Sequence, residues 1–113
     1  MTFARTNADN GYTSLINQQS GTSYTFQLTD NSRIVELNNA SAITLTIPTD
    51  ASVLFPTGTS ITIIQTGAGQ VTISGAGLTL NATPGLKLRT QWSSATIVKR
   101  SANTWVVIGD LVA

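Results

Sequence analysis

The carboxylates of this chain are Asp9, Asp30, Glu36, Asp50 and Asp110, and they stand in a sequence without histidine or cysteine. A glycosidase needs two carboxylates flanking one bond at a fixed separation. The aspartates fall at expected turns or strand ends, where Asp caps or bends the backbone. Only Glu36 lies within a strand, with Arg33 nearby in sequence. Serine nucleophiles have no imidazole to act as their base, and no motif supports a Ser–Lys arrangement with Lys87 or Lys99. Metal binding would rest on oxygen ligands alone, and no Asp-rich loop resembles a calcium site. Without cysteine there are no disulfides, thiolate metal sites or thiol nucleophiles. Enzymatic function is therefore set aside, with no catalytic residue, metal or cofactor expected.

Two glycine triplets, Gly67-Ala68-Gly69 and Gly75-Ala76-Gly77, invite a phosphate reading. A glycine-rich loop holds phosphate when it leads into a helix N-terminus. Here both triplets lie between strand-like segments, so tight turns needing positive φ are the expectation. Their even spacing hints at a β-helical coil, but two copies do not make a repeat. Asn39-Ala40-Ser41 and Asn81-Ala82-Thr83 match the glycosylation acceptor pattern and read as chance matches in a chain rich in Asn, Ser and Thr. Lys87, Arg89, Lys99 and Arg100 read as a solvated face.

The elements that position these groups are short strands. In Ala42-Ile43-Thr44-Leu45-Thr46-Ile47-Pro48 apolar residues occupy every second position with threonine between them, the pattern of a sheet with one dry and one wet face. Similar segments run through 23–29, 33–37, 59–66, 70–74, 78–81, 86–88, 94–100 and 104–108. Gly, Pro, Asn, Asp and Ser punctuate them. No window keeps apolar residues at helical spacing. The expected fold is all-β: a small antiparallel sandwich, roll or barrel of about eight or nine short strands. Residues 1–21 lack sustained periodicity and read as an extended N-terminal arm. Residues 22–113 read as one all-β domain.

Composition narrows the function classes. Of 113 residues, 41% are hydrophobic and only 10% charged, with a net charge of +1. Nothing supports the basic field that nucleic acid needs. No apolar run is long enough for a membrane-spanning helix, and the first ten residues show no signal-peptide core. Several strands are apolar at adjacent positions: Ile34-Val35, Ile63-Ile64, Ile97-Val98 and Trp105 to Ile108. A strand apolar on both faces is covered on both sides, and in a domain this small the second cover is read as another copy of the chain. Ile64, Val98, Val106 and Ile108 are therefore candidate subunit-interface residues. Trp92 sits in a polar context and joins them, with stacking on a sugar or packing over a loop left open.

From Asn39 to Pro48, Phe55 to Ile61, Gly67 to Ile73, Ala95 to Arg100 and Asn103 to Leu111, the sequence resembles a small all-β domain of tailed-bacteriophage virion proteins. The resemblance covers about residues 22–113. It implies a virion structural role as a head fibre, capsid decoration protein or tail-fibre tip, in typically trimeric assemblies, without enzymatic residues. The expectation is a capsid decoration or cement protein on the virion surface. It would be a homotrimer docking on the major capsid protein through an arm whose candidate contacts are Phe3, Arg5 and Tyr12. A short polar arm without shaft or heptads suits decoration better than a fibre tip. The alternative is a head-fibre or tail-fibre-tip adhesin that binds host surface glycans through Trp92, Tyr24 or the Asn/Thr-rich loops.

Overall fold

The computed structural model describes residues 15–113. Its strands are β1 (Ile16–Gln19), β2 (Ser23–Thr25), β3 (Ile34–Leu37), β4 (Ile43–Thr46), β5 (Ser60–Gln65) and β6 (Val71–Ser74). The remainder are β7 (Thr79–Ala82), β8 (Lys87–Leu88), β9 (Ser94–Ser101), β10 (Thr104–Gly109) and β11 (Leu111–Val112). One sheet has six strands in the order β1-β3-β5-β9-β10-β7, and the other has five, β11-β8-β6-β4-β2.

The chain passes from one sheet to the other at each step from β1 to β6. β1, β3 and β5 pair in parallel, and so do β2, β4 and β6. Each pair of consecutive strands is thus one coil, and three coils stack into a β-solenoid. This corrects the expected antiparallel sandwich, roll or barrel. The physical reason is that side-chain alternation reports the pleat, not strand direction. A solenoid coil also has one dry and one wet face, so its strands carry the same pattern. The later strands are of mixed direction and extend the two sheets: β9 lies antiparallel on β5, β10 on β9, β8 on β6 and β11 on β8, while β7 lies parallel on β10. Residues 16–19, assigned to the arm by sequence, form an integral strand, and the 3-10 turn Leu28–Asp30 follows β2 where a longer strand was expected.

The dry interior explains the register. Val35 pairs with Ile63 and Leu37 with Gln65 in one sheet, while Ile43 pairs with Val71 and Leu45 with Ile73 in the other. All but Gln65 are apolar and all are buried. Trp105 is fully buried and meets Phe55 edge to face at 5.6 Å between ring centroids. Its indole Nε1 has no hydrogen-bond partner among the described residues.

The inward positions of the first coil are polar instead. Asn17, in register with Val35, donates from Nδ2 to the Tyr24 hydroxyl (2.8 Å) and to Asp30 Oδ1 (2.9 Å). Tyr24 donates to Asp30 Oδ2 at 2.6 Å, and the Gln27 amide donates to the same oxygen at 2.9 Å. Gln19 Nε2 closes the set on Asn17 Oδ1 at 2.8 Å. Among the described residues this is the outermost coil, and its polar side chains satisfy one another as a network. Burial and the adjacent Asp30 carboxylate push the Tyr24 phenol above its ordinary range.

Glycine in the first triplet does a different job from the one expected, whereas Gly77 of the second has the expected positive φ. A Cβ on Gly67 would lie 2.6 Å from Asn38 Oδ1, and one on Gly69 would lie 1.9 Å from the Ser41 carbonyl oxygen. These residues permit coil-to-coil contact rather than positive φ. Only Gly58 and Gly77 among the described glycines adopt positive φ.

Candidate functional site

The acids expected to cap or bend the chain hold it together. Lys99 is 2% exposed and donates from Nζ to Asp50 Oδ1 and to the Phe55 carbonyl, both at 2.7 Å. Asp50 also accepts from the Asn103 amide at 3.2 Å, which pins the long connection after β4 to the β9–β10 hairpin. The hydrogen bond from Lys99 holds the Asp50 carboxyl below the usual carboxylate range. Asp110 is lowered likewise by Arg89, at 2.9 Å, and by the Ser93 hydroxyl, at 2.7 Å. Glu36 accepts from Gln18 Nε2 at 3.0 Å. Among the described residues no three carboxylate, His or Cys side chains gather as a metal site would require. Asp9 lies outside the described residues.

The chemistry of this molecule is concentrated in the contrast between its two outer faces. On the five-stranded sheet, outward positions run in register as Ser23, Thr44, Thr72 and Lys87, and as Thr25, Thr46 and Ser74. That face is a lattice of hydroxyls. On the six-stranded sheet, Ile16, Ile34, Thr62, Thr96 and Ile108 form one outward row. Ser60, Val98, Val106 and Asn81 form a second. Gln18, Glu36, Ile64 and Ser94 form a third. Ile108 is 62% exposed and Ile16 47% exposed. Thr62 and Thr96 hydrogen-bond to each other at 3.3 Å between the apolar side chains.

Four of the five candidate interface residues, Ile64, Val98, Val106 and Ile108, therefore share one face. Trp92 does not lie in these rows. It sits in the turn before β9, at the corner of the coil, with φ +72° and 69% exposure. Sequence reasoning missed Ile16 as a member of the face, and it marked the Ile34-Val35 pair without naming Ile34 an interface residue. The register of β1 and β3 under β5 would have added them, had the coils been recognised. At one edge of the face, Leu80, Asn81 and Ala82 of β7 and Thr83 after it border an open groove of about 500 Å³ with Val106 to Gly109. Phe3, Arg5 and Tyr12, the candidate docking contacts, lie outside the described residues.

Coil stack and unlike faces together define the class of this protein: a short β-solenoid, extended at one end by strands of mixed direction and carrying Ile and Val side chains on one outer face. No protein-family model matches the chain, and no curated protein matches it.

Proposed function

We propose that this chain is a structural protein of a bacteriophage virion, assembling as a homotrimer and docking on the major capsid lattice as a decoration or cement protein. The observation that carries the reading is the apolar outer face of the six-stranded sheet, set against the hydroxyl face of the other sheet. Six strands spaced about 4.8 Å apart and roughly 20 Å long make a face on the order of 500 Å². On it Ile16, Ile34, Ile64, Val98, Val106 and Ile108 are interleaved with Thr, Ser, Asn, Gln and Glu, the mixed composition of a non-obligate interface. A ring needs two different patches on each copy, because its contacts are heterologous. Ile16 and Ile34 at the β1–β3 edge of the six-stranded sheet and the groove between β10 and β7 at the opposite edge supply two. Low charge favours such packing, since like charges do not accumulate as copies gather. Bound trimers would bridge neighbouring capsomers and stabilise the assembled lattice by mass action. The virion setting is supported by the sequence resemblance over residues 22–113.

Sedimentation velocity tests the assembly. Replacing Val106 and Ile108 together by lysine should convert a trimer to monomer with an unchanged far-UV spectrum. Replacing Thr44 and Thr46 by lysine on the hydroxyl face should leave the trimer intact. A wild-type chain that sediments as a monomer at high micromolar concentration would refute the trimer. Reconstruction of the particle tests the location: density only at the tail would refute the decoration role.

A further inference from the structure

Where the chain leaves the six-stranded sheet, successive coils bring Ser20, Asn38, Thr66 and Trp92 into one column. The Asn38 amide donates to the Gln19 carbonyl and the Thr66 amide to the Leu37 carbonyl, each at 2.9 Å, and the Trp92 amide donates to Gln65 at 2.6 Å. A groove of about 290 Å³ runs beside this column, lined by Gln18, Gln19, Ser20, Glu36, Asn38 and Thr66. Its lining is made of amides, hydroxyls and one carboxylate, without a basic side chain. At its end the Gln91 amide group donates to the Thr66 carbonyl at 3.0 Å, and the next residue is Trp92.

The Trp92 backbone is in the left-handed region, which bulky L residues rarely adopt. Its indole is mostly exposed and adds nothing to the core, where Trp105 is the buried indole. Strained residues persist where their surroundings hold them, and they gather at ligand sites. Here the hydrogen bonds of Trp92 and Gln91 to the third coil do the holding.

We infer that this corner is a binding site for a neutral oligosaccharide, with Trp92 as its stacking platform. A pyranose presents an apolar C–H face that an aromatic ring can cover, and a rim of hydroxyls. Amides and a carboxylate meet those hydroxyls as donors and acceptors. Coils repeat at about 4.8 Å, close to the repeat of an extended pyranose chain, so successive coils offer comparable groups to successive sugar units. Glu36, with no base in the groove, selects against uronic acids, sialic acids and phosphorylated sugars. The groove shares Gln18 and Glu36 with the third outward row but lies on β1 and β3, apart from Val106 and Ile108 on β10.

Tryptophan fluorescence of the full chain provides the test, titrated with cellotetraose, chitotetraose, maltotetraose and tetragalacturonate. At least one neutral tetrasaccharide should give saturable quenching with a blue shift, assigned to Trp92 because Trp105 is already buried. Trp92→Gly relieves the positive φ, so it should melt no lower than wild type and yet bind about tenfold or more weakly, as when an aromatic anchor is lost. Glu36→Gln should narrow the preference for neutral over anionic sugar. The inference is overturned if none of the neutral sugars saturates at millimolar concentration, if tetragalacturonate binds as well as they do, or if Trp92→Gly binds like wild type.

Discussion

Replacing Gly69 by alanine tests the coil stack directly. The added Cβ would sit 1.9 Å from the Ser41 carbonyl oxygen and 2.7 Å from that of Asn39, both backbone atoms of the coil beneath. An ordinary carbon–oxygen contact is about 3.3 Å or longer, so the two coils would have to part locally by roughly 1.4 Å. Their normal separation is about 4.8 Å. The Gly69 amide bond to Asn39 O, 2.7 Å, and the Ile43 amide bond to Gln70 O, 3.0 Å, bridge the same gap. Stretched by that amount, both exceed hydrogen-bonding distance. Two lost bonds at about 1 kcal/mol each, plus the strain on the Ile43–Val71 contact below, give about 3 kcal/mol or more. For a domain of this size that is a fall in Tm of roughly 10–20 °C. Gly21 occupies the corresponding corner of the first coil, where a Cβ would meet nothing closer than 3.7 Å, so Gly21→Ala should leave Tm nearly unchanged. Differential scanning calorimetry of the two variants decides the matter. If Gly69→Ala melts within about 2 °C of wild type, a shift worth less than 1 kcal/mol, the coils are not stacked this closely and the solenoid argument fails.

Two further outcomes follow from the same packing. Asp50 is held below its ordinary range by Lys99, so its contribution to stability is complete above the unfolded value of about 3.9 and is lost as pH falls through the lower folded value. Asp50→Asn should flatten the acid limb of Tm measured between pH 5 and 2. It should also lower Tm at neutral pH, because Lys99 is left buried without its carboxylate; an acid limb as steep as that of wild type would contradict this. Trp105→Ala should cost about 3–5 kcal/mol in urea unfolding, whereas Trp105→Phe should cost much less, because the lost Nε1 has no partner to strand. Equal costs for the two would show that the indole N–H is satisfied after all.

Much of the fold was legible as strands and little of it as topology. The alternation at Ile43-Thr44-Leu45-Thr46 marks β4 correctly, yet the same letters fit an antiparallel partner or a parallel one. The signal that could have decided between them lies in the order of residues. Ile34 to Ile47 and Thr62 to Gly75 carry strand, polar corner and strand at the same offsets, and that offset also fixes both registers, Ile34 with Thr62 and Ile43 with Val71. The first coil hides the repeat because its corner is shorter and its inward positions are Asn17, Gln19 and Tyr24. Those polar inward positions erase the apolar signature by which a repeat is found.

The outward orientation of the candidate interface side chains was more legible than the fold because it rests on a local fact. Adjacent apolar residues in a strand leave one of them outside whatever the topology, so Ile64, Val98, Val106 and Ile108 point outward in an antiparallel sandwich and in a solenoid alike. The Ile34-Val35 pair carries the same local signal, but only parallel stacking brings Ile34 and Ile16 into the row of Ile108. Trp92 needed the backbone. No glycine or asparagine occupies its turn to announce a left-handed residue, and a tryptophan in that conformation is read from the structure alone. The three cases differ in range: side-chain pattern fixes a face, register joins faces into rows, and backbone geometry places the one exposed indole at the end of a polar groove rather than among the apolar rows. That separation makes oligomerisation and sugar binding distinguishable by mutation. Val106 and Ile108 can be changed without touching the groove, and Trp92 without touching the rows.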